Sequence, residues 1–202
     1  MLSTCLTDIS KINDRIYLSG IYPLDSSHDV LGELGINCIL ACVERTFVSE
    51  THAKVLANHP NMIILYLPYI DDTRQNLWIE NKNTIEMIQY TNSLDKYNEI
   101  NKQLNIYNNK PLIEIGYNFI DSAVASKKNI LVHCMAGVSR SASVVIYYFM
   151  KKYGMSYNQA EKVVKDKRSI INPNICFKEQ LLGYQKKREK FSAQDVKTII
   201  KK

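Results

Sequence analysis

No stretch of this chain stays apolar for long. The longest such runs, Ile63 to Ile70 and Ala142 to Met150, fall well short of the roughly 20 residues that a membrane-spanning helix requires. A soluble chain with no membrane partner is expected. The amino terminus, Met1-Leu-Ser-Thr-Cys-Leu, has no basic start ahead of a long apolar core and no glycine after the methionine. That argues against a secretory signal and against myristoylation. The five cysteines include no C-x-x-C pair, and zinc-finger spacing is absent. A structural metal is therefore unsupported, no cofactor is called for, and reduced thiols in the cytoplasm are the simplest account.

Nucleic-acid motifs are missing too, with no aromatic ribonucleoprotein signature. Lys and Arg number 26 against 20 Asp and Glu, a net charge of +6. Much of that excess follows Tyr184, in Gln185-Lys-Lys-Arg-Glu-Lys190 and Lys201-Lys202. A solvated helix end leading into a basic tail over 191–202 accounts for it better than a nucleic-acid surface, and a nuclear address is the other use of such a patch.

What is present describes one α/β domain. With 202 residues, 46% of them hydrophobic, the chain can bury roughly 70% of its unfolded surface in a single core. Strands are expected at Ile12 to Ser19, Ile36 to Val43, Met62 to Leu67 and Asn129 to His133. Helices are expected at Asp25 to Leu34, Pro111 to Ser126, Arg140 to Lys152, Ser156 to about Lys167 and Ile175 to Lys190, with Asn174 as an N-cap. His28, His52 and His59 lack ligand spacing and read as surface residues.

The densest chemistry lies in Ile130-Leu-Val-His-Cys-Met-Ala-Gly-Val-Ser-Arg-Ser-Ala-Ser143, a strand running through a small-residue loop into a helix. Successive N–H groups of Met135, Ala136, Gly137, Val138 and Ser139 can curl into a concave anion-binding nest at the positive end of the helix dipole. Cys134 sits at its floor, where those donors favour a thiolate nucleophile. Arg140 offers a planar fork to two phosphate oxygens. A general acid must then face the nest, and Leu65-Tyr-Leu-Pro-Tyr-Ile-Asp-Asp-Thr73 supplies two carboxylates on a loop leaving a strand. His133 reads as an organiser of the loop, a neutral imidazole bonded to backbone.

His133-Cys134, five residues, then Arg140-Ser141 resembles the signature of the cysteine-based protein tyrosine phosphatase superfamily, and HCMAGVSRS looks most like its dual-specificity phosphatases. The likeness spans residues 9–188. It implies the cysteine-phosphatase fold, a central mixed sheet flanked by helices, and hydrolysis of phosphotyrosine, phosphoserine and phosphothreonine in proteins through a phosphocysteine. An aspartate standing before Thr or Ser in the family's acid loop makes Asp72 the expected acid and base, with Asp71 second, and gives Ser141 the role of helping the thiolate leave. Non-protein phosphates (RNA 5′-triphosphate, phosphoinositide, glycan phosphate) and a non-catalytic phosphoprotein-binding module are the alternatives. Met135, Ala136, Val138 and Ser139 bring no base into the loop for a polyanion, although Arg45, Arg74 or insertion lysines could add charge from outside. The resemblance also leaves open a protective disulfide from Cys134 to Cys38 or Cys42. The abundance of Lys, Asn, Ile and Tyr suits an AT-rich genome, and small phosphatases of this type occur in large DNA viruses.

One departure stands out. Residues 81–110 lengthen the span between acid loop and cysteine loop beyond that of compact members, and Thr91 to Lys110 is dense in Asn, Lys and Tyr with spaced Leu94, Ile100, Leu104 and Ile106. A surface loop or an amphipathic helical lobe fits that pattern. Such an insertion in a catalytic domain of residues 1–190 is expected to lie beside the substrate entrance, to supply a homodimer contact, or to be inert.

Overall fold

The computed structural model describes residues 7–89 and 94–200. Strands β1 (Ser10–Lys11), β2 (Ile16–Ser19), β3 (Ile36–Ala41), β4 (Ile63–Tyr66), β5 (Glu86–Gln89) and β6 (Asn129–His133) form one sheet in the order β1-β2-β6-β3-β4-β5. The four inner strands are parallel, and β1 and β5 close the edges antiparallel. Helices are α1 (Val30–Glu33), α2 (Ser49–Asn58), α3 (Leu94–Ile106), α4 (Leu112–Ala125), α5 (Arg140–Tyr153), α6 (Tyr157–Lys165) and α7 (Ile175–Ile200). This is the mixed sheet with flanking helices that the sequence led us to expect.

Pleating sends alternate side chains to opposite faces. In β6, Ile130 and Val132 join a core with α4 to α7, while Leu131 joins a second core that includes residues of α1 and α2. All three are fully buried, each contributing about 1.5–3 kcal/mol of apolar burial. A strand buried on both faces reads as an unbroken apolar run, and NILVH does.

The single opening strand expected at Ile12 to Ser19 is instead a tight hairpin. Asn13 Oδ1 accepts from Arg15 N–H at 3.0 Å and from Ile16 N–H at 2.8 Å, an Asx turn that reverses the chain. The expected helix at Asp25 to Leu34 is a 3₁₀ turn, Tyr22–Asp25, followed by α1, which Asp29 caps at Gly32 N–H. Helix α6 opens with a capping box from Ser156 and Gln159, and Asn174 Oδ1 accepts from Phe177 N–H at 3.0 Å at the start of α7. Helix α7 continues to Ile200, through residues that composition marks as a basic tail. Residues 1–6, 90–93 and Lys201-Lys202 lie outside the described residues. Among those described, no helix is long and apolar enough to cross a membrane.

Residues 81–110 hold β5 and α3. Their two ends are zipped together: Asn81 N–H donates to Lys110 O at 2.8 Å, Asn109 N–H to Asn81 O at 2.9 Å, and Leu112 N–H to Ile79 O at 2.9 Å. The Asn81 side chain is buried between them, its amide donating to Tyr107 O and its carbonyl accepting from Thr84 N–H. Ile100 is buried in the main core, with Leu104 packed against it. Of the two expected forms, the amphipathic helix is the one found, and its apolar face has a core to join.

Candidate active site

In parallel sheets, ligands sit outside the carboxyl ends of the strands. Here that edge carries Gly20 after β2, Cys42 to Phe47 after β3, Pro68 to Arg74 after β4 and Cys134 to Ser139 after β6.

Cys134 is buried, and its Sγ accepts from Gly137 N–H at 3.3 Å and from the Ser141 hydroxyl at 3.2 Å. Why the loop's N–H groups turn inward is visible from behind. Arg168 donates from Nε to Gly137 O at 2.9 Å and from Nη2 to Ala136 O at 3.2 Å, and Asn172 N–H donates to Val138 O at 2.9 Å. A trans peptide points its N–H opposite its carbonyl. Three carbonyls tied outward therefore aim the N–H groups of Gly137, Val138 and Ser139 to the opposite side, into the nest.

Two glycines let this loop press on β2. Gly137 has φ +68°, and a Cβ there would meet the Ser19 carbonyl carbon at 2.3 Å. A Cβ at Gly20 would meet Met135 O at 2.7 Å, the carbonyl to which Ile21 N–H donates at 3.0 Å. Neither position has room for a side chain.

Arg140 lies at the first turn of α5 with its side chain 12% exposed. Its Nη1 donates to Tyr69 O at 3.2 Å. Its Nε is, among the described residues, the one buried side-chain polar atom without a hydrogen-bond partner. Such a donor at the mouth of an N–H nest suits an anionic oxygen.

The two aspartates part company. Asp71 Oδ1 accepts from the Ser139 hydroxyl at 2.7 Å and from the Asn174 amide at 2.9 Å, and its Oδ2 lies 3.9 Å from Arg140 Nε. Asp72 turns away, accepting from Arg74 N–H at 2.7 Å and from the Arg74 guanidinium at 3.0 and 2.9 Å. That guanidinium, and after it the backbone N–H, holds the Asp72 carboxyl down at about 2. A carboxylate so held has no proton to give near neutral pH. The geometry thus gives Asp71, not the expected Asp72, the face toward the nest.

Beneath the loop runs a hydrogen-bond chain that the sequence did not reveal. His133 Nδ1 lies 3.2 Å from Cys134 O, His133 Nε2 lies 3.0 Å from His52 Nε2, and His52 Nδ1 lies 2.8 Å from the Tyr66 hydroxyl. A carbonyl only accepts, so His133 Nδ1 carries the proton and its Nε2 accepts. His52 must then donate from Nε2, and Tyr66 O–H must donate to His52 Nδ1. Burial pushes His133 down to about 4 and His52 to about 2, the nearness of His133 adding to the latter. Both are neutral, and His133 is bonded to the Cys134 carbonyl. His52 is 1% exposed, which corrects its reading as a surface residue. Its spacing from Val48, Val55 and Leu56 puts it on the buried stripe of α2. Arg168, by contrast, had no sequence signal of its own.

Cys42 lies at the site end of β3, where its N–H donates to His133 O at 2.7 Å. Burial drives its thiol well up, and the nearness of Cys134 adds to the shift. Cys38 lies toward the other end, against Asn129 O, with burial pushing its thiol to about 12. The described cysteines are free thiols.

Comparison with known proteins agrees with this construction. The family model "Dual specificity phosphatase, catalytic domain" matches residues 46–187. The chain is 53% identical over 194 residues to R622 of Acanthamoeba polyphaga mimivirus, provisionally named a tyrosine-protein phosphatase, covering 96% of this chain and 92% of that one. It is 48% identical over 77 residues to human dual specificity protein phosphatase 16, covering 38% of this chain and 12% of that larger protein. Human DUSP28 superposes with a TM-score of 0.62 at 19% identity, over 90% of this chain and 95% of that one. The human tyrosine phosphatase-like serine/threonine/tyrosine-interacting protein does so with 0.59 at 24%, over 88% and 95%. A cysteine nest fed by β6 and closed by the first turn of α5, with a family match running from before the acid loop into α7, makes this chain a member of the dual-specificity phosphatase family.

Proposed function

We propose that the chain hydrolyses phosphotyrosine and phosphoserine or phosphothreonine in proteins through a phosphocysteine. The observation carrying this reading is the convergence of Cys134 Sγ, the inward N–H groups, the unpartnered Nε of Arg140 and the Asp71 carboxyl around one opening. Cys134 Sγ forms a bond to phosphorus as the ester P–O bond breaks, and Asp71 hands its proton to the departing oxygen. Nest and Arg140 hold the three non-bridging oxygens throughout. Water then attacks phosphorus and gives a proton to Asp71. The S–P bond breaks and the thiolate leaves, receiving the Ser141 hydroxyl bond.

Polyanionic substrates are less well served. The loop's Met135, Ala136, Val138 and Ser139 bring no basic side chain to a second phosphate, and Arg74 and Arg45 lie outside it in exposed ion pairs with Asp72 and Glu86. The test is a panel of phosphopeptides, a phosphoinositide and triphosphate-ended RNA, with rapid quenching to trap the thiophosphate ester. Turnover confined to the lipid or RNA overturns the protein reading. Turnover by Cys134→Ser at the parent rate overturns the mechanism.

We also propose that the catalytic unit covers residues 1–190, works in the cytoplasm or nucleus, and self-associates through residues 81–110. The place of β5 at the end of the sheet and the 54% exposure of Ile106 support that last contact. Sedimentation of the whole chain and of an Ile106→Lys variant tests it, a monomer throughout being the contrary result.

A further inference from the structure

The acid loop has two faces. Toward the nest it turns the Tyr69 carbonyl, which accepts from Arg140, and the Asp71 carboxylate. The residues between and before them, Pro68 and Ile70, line a cavity of about 850 Å³ whose walls include no residue of the Cys134 to Arg140 loop. Ile79, Trp78 and Leu112 supply more of its apolar wall. The size lies within the range of sites that enclose small ligands or large side chains.

Several features mark this cavity as a binding surface. Ile70 is 57% exposed and Ile79 48% exposed, two large aliphatic side chains left to water on one wall beside the catalytic loop. Trp78 is held in place from behind, stacked on Tyr184 at 6.1 Å between ring centroids and edge-on to Tyr147 at 5.8 Å. A fixed aromatic wall binds without losing its own rotamer freedom. The charges at the rim, Glu44, Glu80 and Glu86 against Arg45 and Lys82, give no positive field, and Arg45 is paired to Glu86. The cavity does not invite a second phosphate.

Its place relative to the nest decides the occupant. Ile70 and Asp71 are consecutive, about 3.8 Å apart at Cα, so a group bound against Ile70 lies next to whatever bears the phosphate that Asp71 serves. We infer that this cavity is a substrate subsite that takes an apolar or aromatic side chain one to three residues from the phosphoresidue of an extended peptide. The inference rests on the reading of the chain as a phosphoprotein phosphatase and names the class of sequence it selects. The 80–86 segment is what builds the outer wall, which gives the inserted residues a part in substrate choice.

Phosphotyrosine peptides of equal length and charge, with Phe or Ser at each flanking position in turn, test this directly. At one position within three residues, Phe raises kcat/KM about tenfold or more over Ser, the usual worth of filling an apolar pocket. In Ile70→Ser and Ile79→Ser the Phe-to-Ser ratio falls toward one. Both side chains are half exposed, so neither change opens the core. The chain's single tryptophan, Trp78, gives a second reading: the Phe peptide bound to Cys134→Ser shifts its emission and the Ser peptide does not. Phosphopeptide turnover that ignores every flank, a preference unchanged in both variants, or a bound Phe peptide silent at Trp78 overturns the subsite alone. Turnover of phosphoinositide or RNA with none of any phosphopeptide overturns the reading beneath it.

Discussion

Asp71 and Asp72 are neighbours with the same functional group and opposite surroundings. Asp71 is bonded to Ser139 and Asn174 at the nest, and Asp72 is forked by Arg74 in solvent. Asp71→Asn should slow kcat by about 10²–10⁴-fold. Asp72→Asn should change kcat by less than about threefold, a difference well below the usual contribution of a general acid. Steady-state kinetics on one phosphopeptide checks both, and the reverse ranking would restore Asp72. Arg168 acts through the nest, and never touches the phosphate. In Arg168→Gln the carbonyls of Ala136 and Gly137 lose their partners, at about 1–3 kcal/mol each. Vanadate affinity should drop by more than about tenfold, while Arg168→Lys, a single ammonium nitrogen in place of a planar fork, recovers only part of it. Equal vanadate affinity in all three proteins would remove Arg168 from the account.

At the scale of elements, β5 and α3 hang on the junction where residues 79–81 meet residues 109–112. Asn81 fills that junction, its short amide side chain donating to Tyr107 O from one atom and accepting from Thr84 N–H at another. Asn81→Ala should leave those backbone groups unpaired, at about 1–3 kcal/mol. Hydrogen exchange should rise across residues 84–110 and stay low in β6 and α5; a uniform rise would mean that the insertion is part of the cooperative core. The composition sets Thr91 to Lys110 apart as dense in Asn, Lys and Tyr. It does not show the edge strand, because EMIQ is four residues without apolar alternation and gains its identity from β4.

For the whole molecule, the two buried histidines set the response to acid. Each stays neutral when folded and takes a proton when unfolded, once the pH falls below the ordinary histidine value of about 6.5. The unfolded chain then binds more protons, so their contribution is complete above that value and falls as the pH drops toward 4, where folded His133 begins to protonate, and on toward 2 for His52. Near pH 5 the slope from the pair approaches that of two protons, on the order of 3 kcal/mol per pH unit. Urea titrations at pH 7, 6 and 5 measure it, and His52→Gln should halve it. A flat profile between pH 6.5 and 5 would mean that these imidazoles reach water.

Much of this protein is local in origin. The His133 to Ser141 run gives its own nest, because strand, small residues and helix start are consecutive and the dipole comes with the helix. Asn129 to His133 and the helix at Arg140 follow from apolar period alone, and Ser156 and Asn174 announce their caps. The tertiary structure decided what depends on partners far along the chain. Asp71 was separated from Asp72 by Asn174, 103 residues away. His52 was drawn inside by His133, and Arg168 was brought behind a loop 31 residues earlier. Covalent neighbours fix which chemistry a segment can offer; which of two equal carboxylates faces the nest is a matter of packing, and packing is written only in the assembled fold.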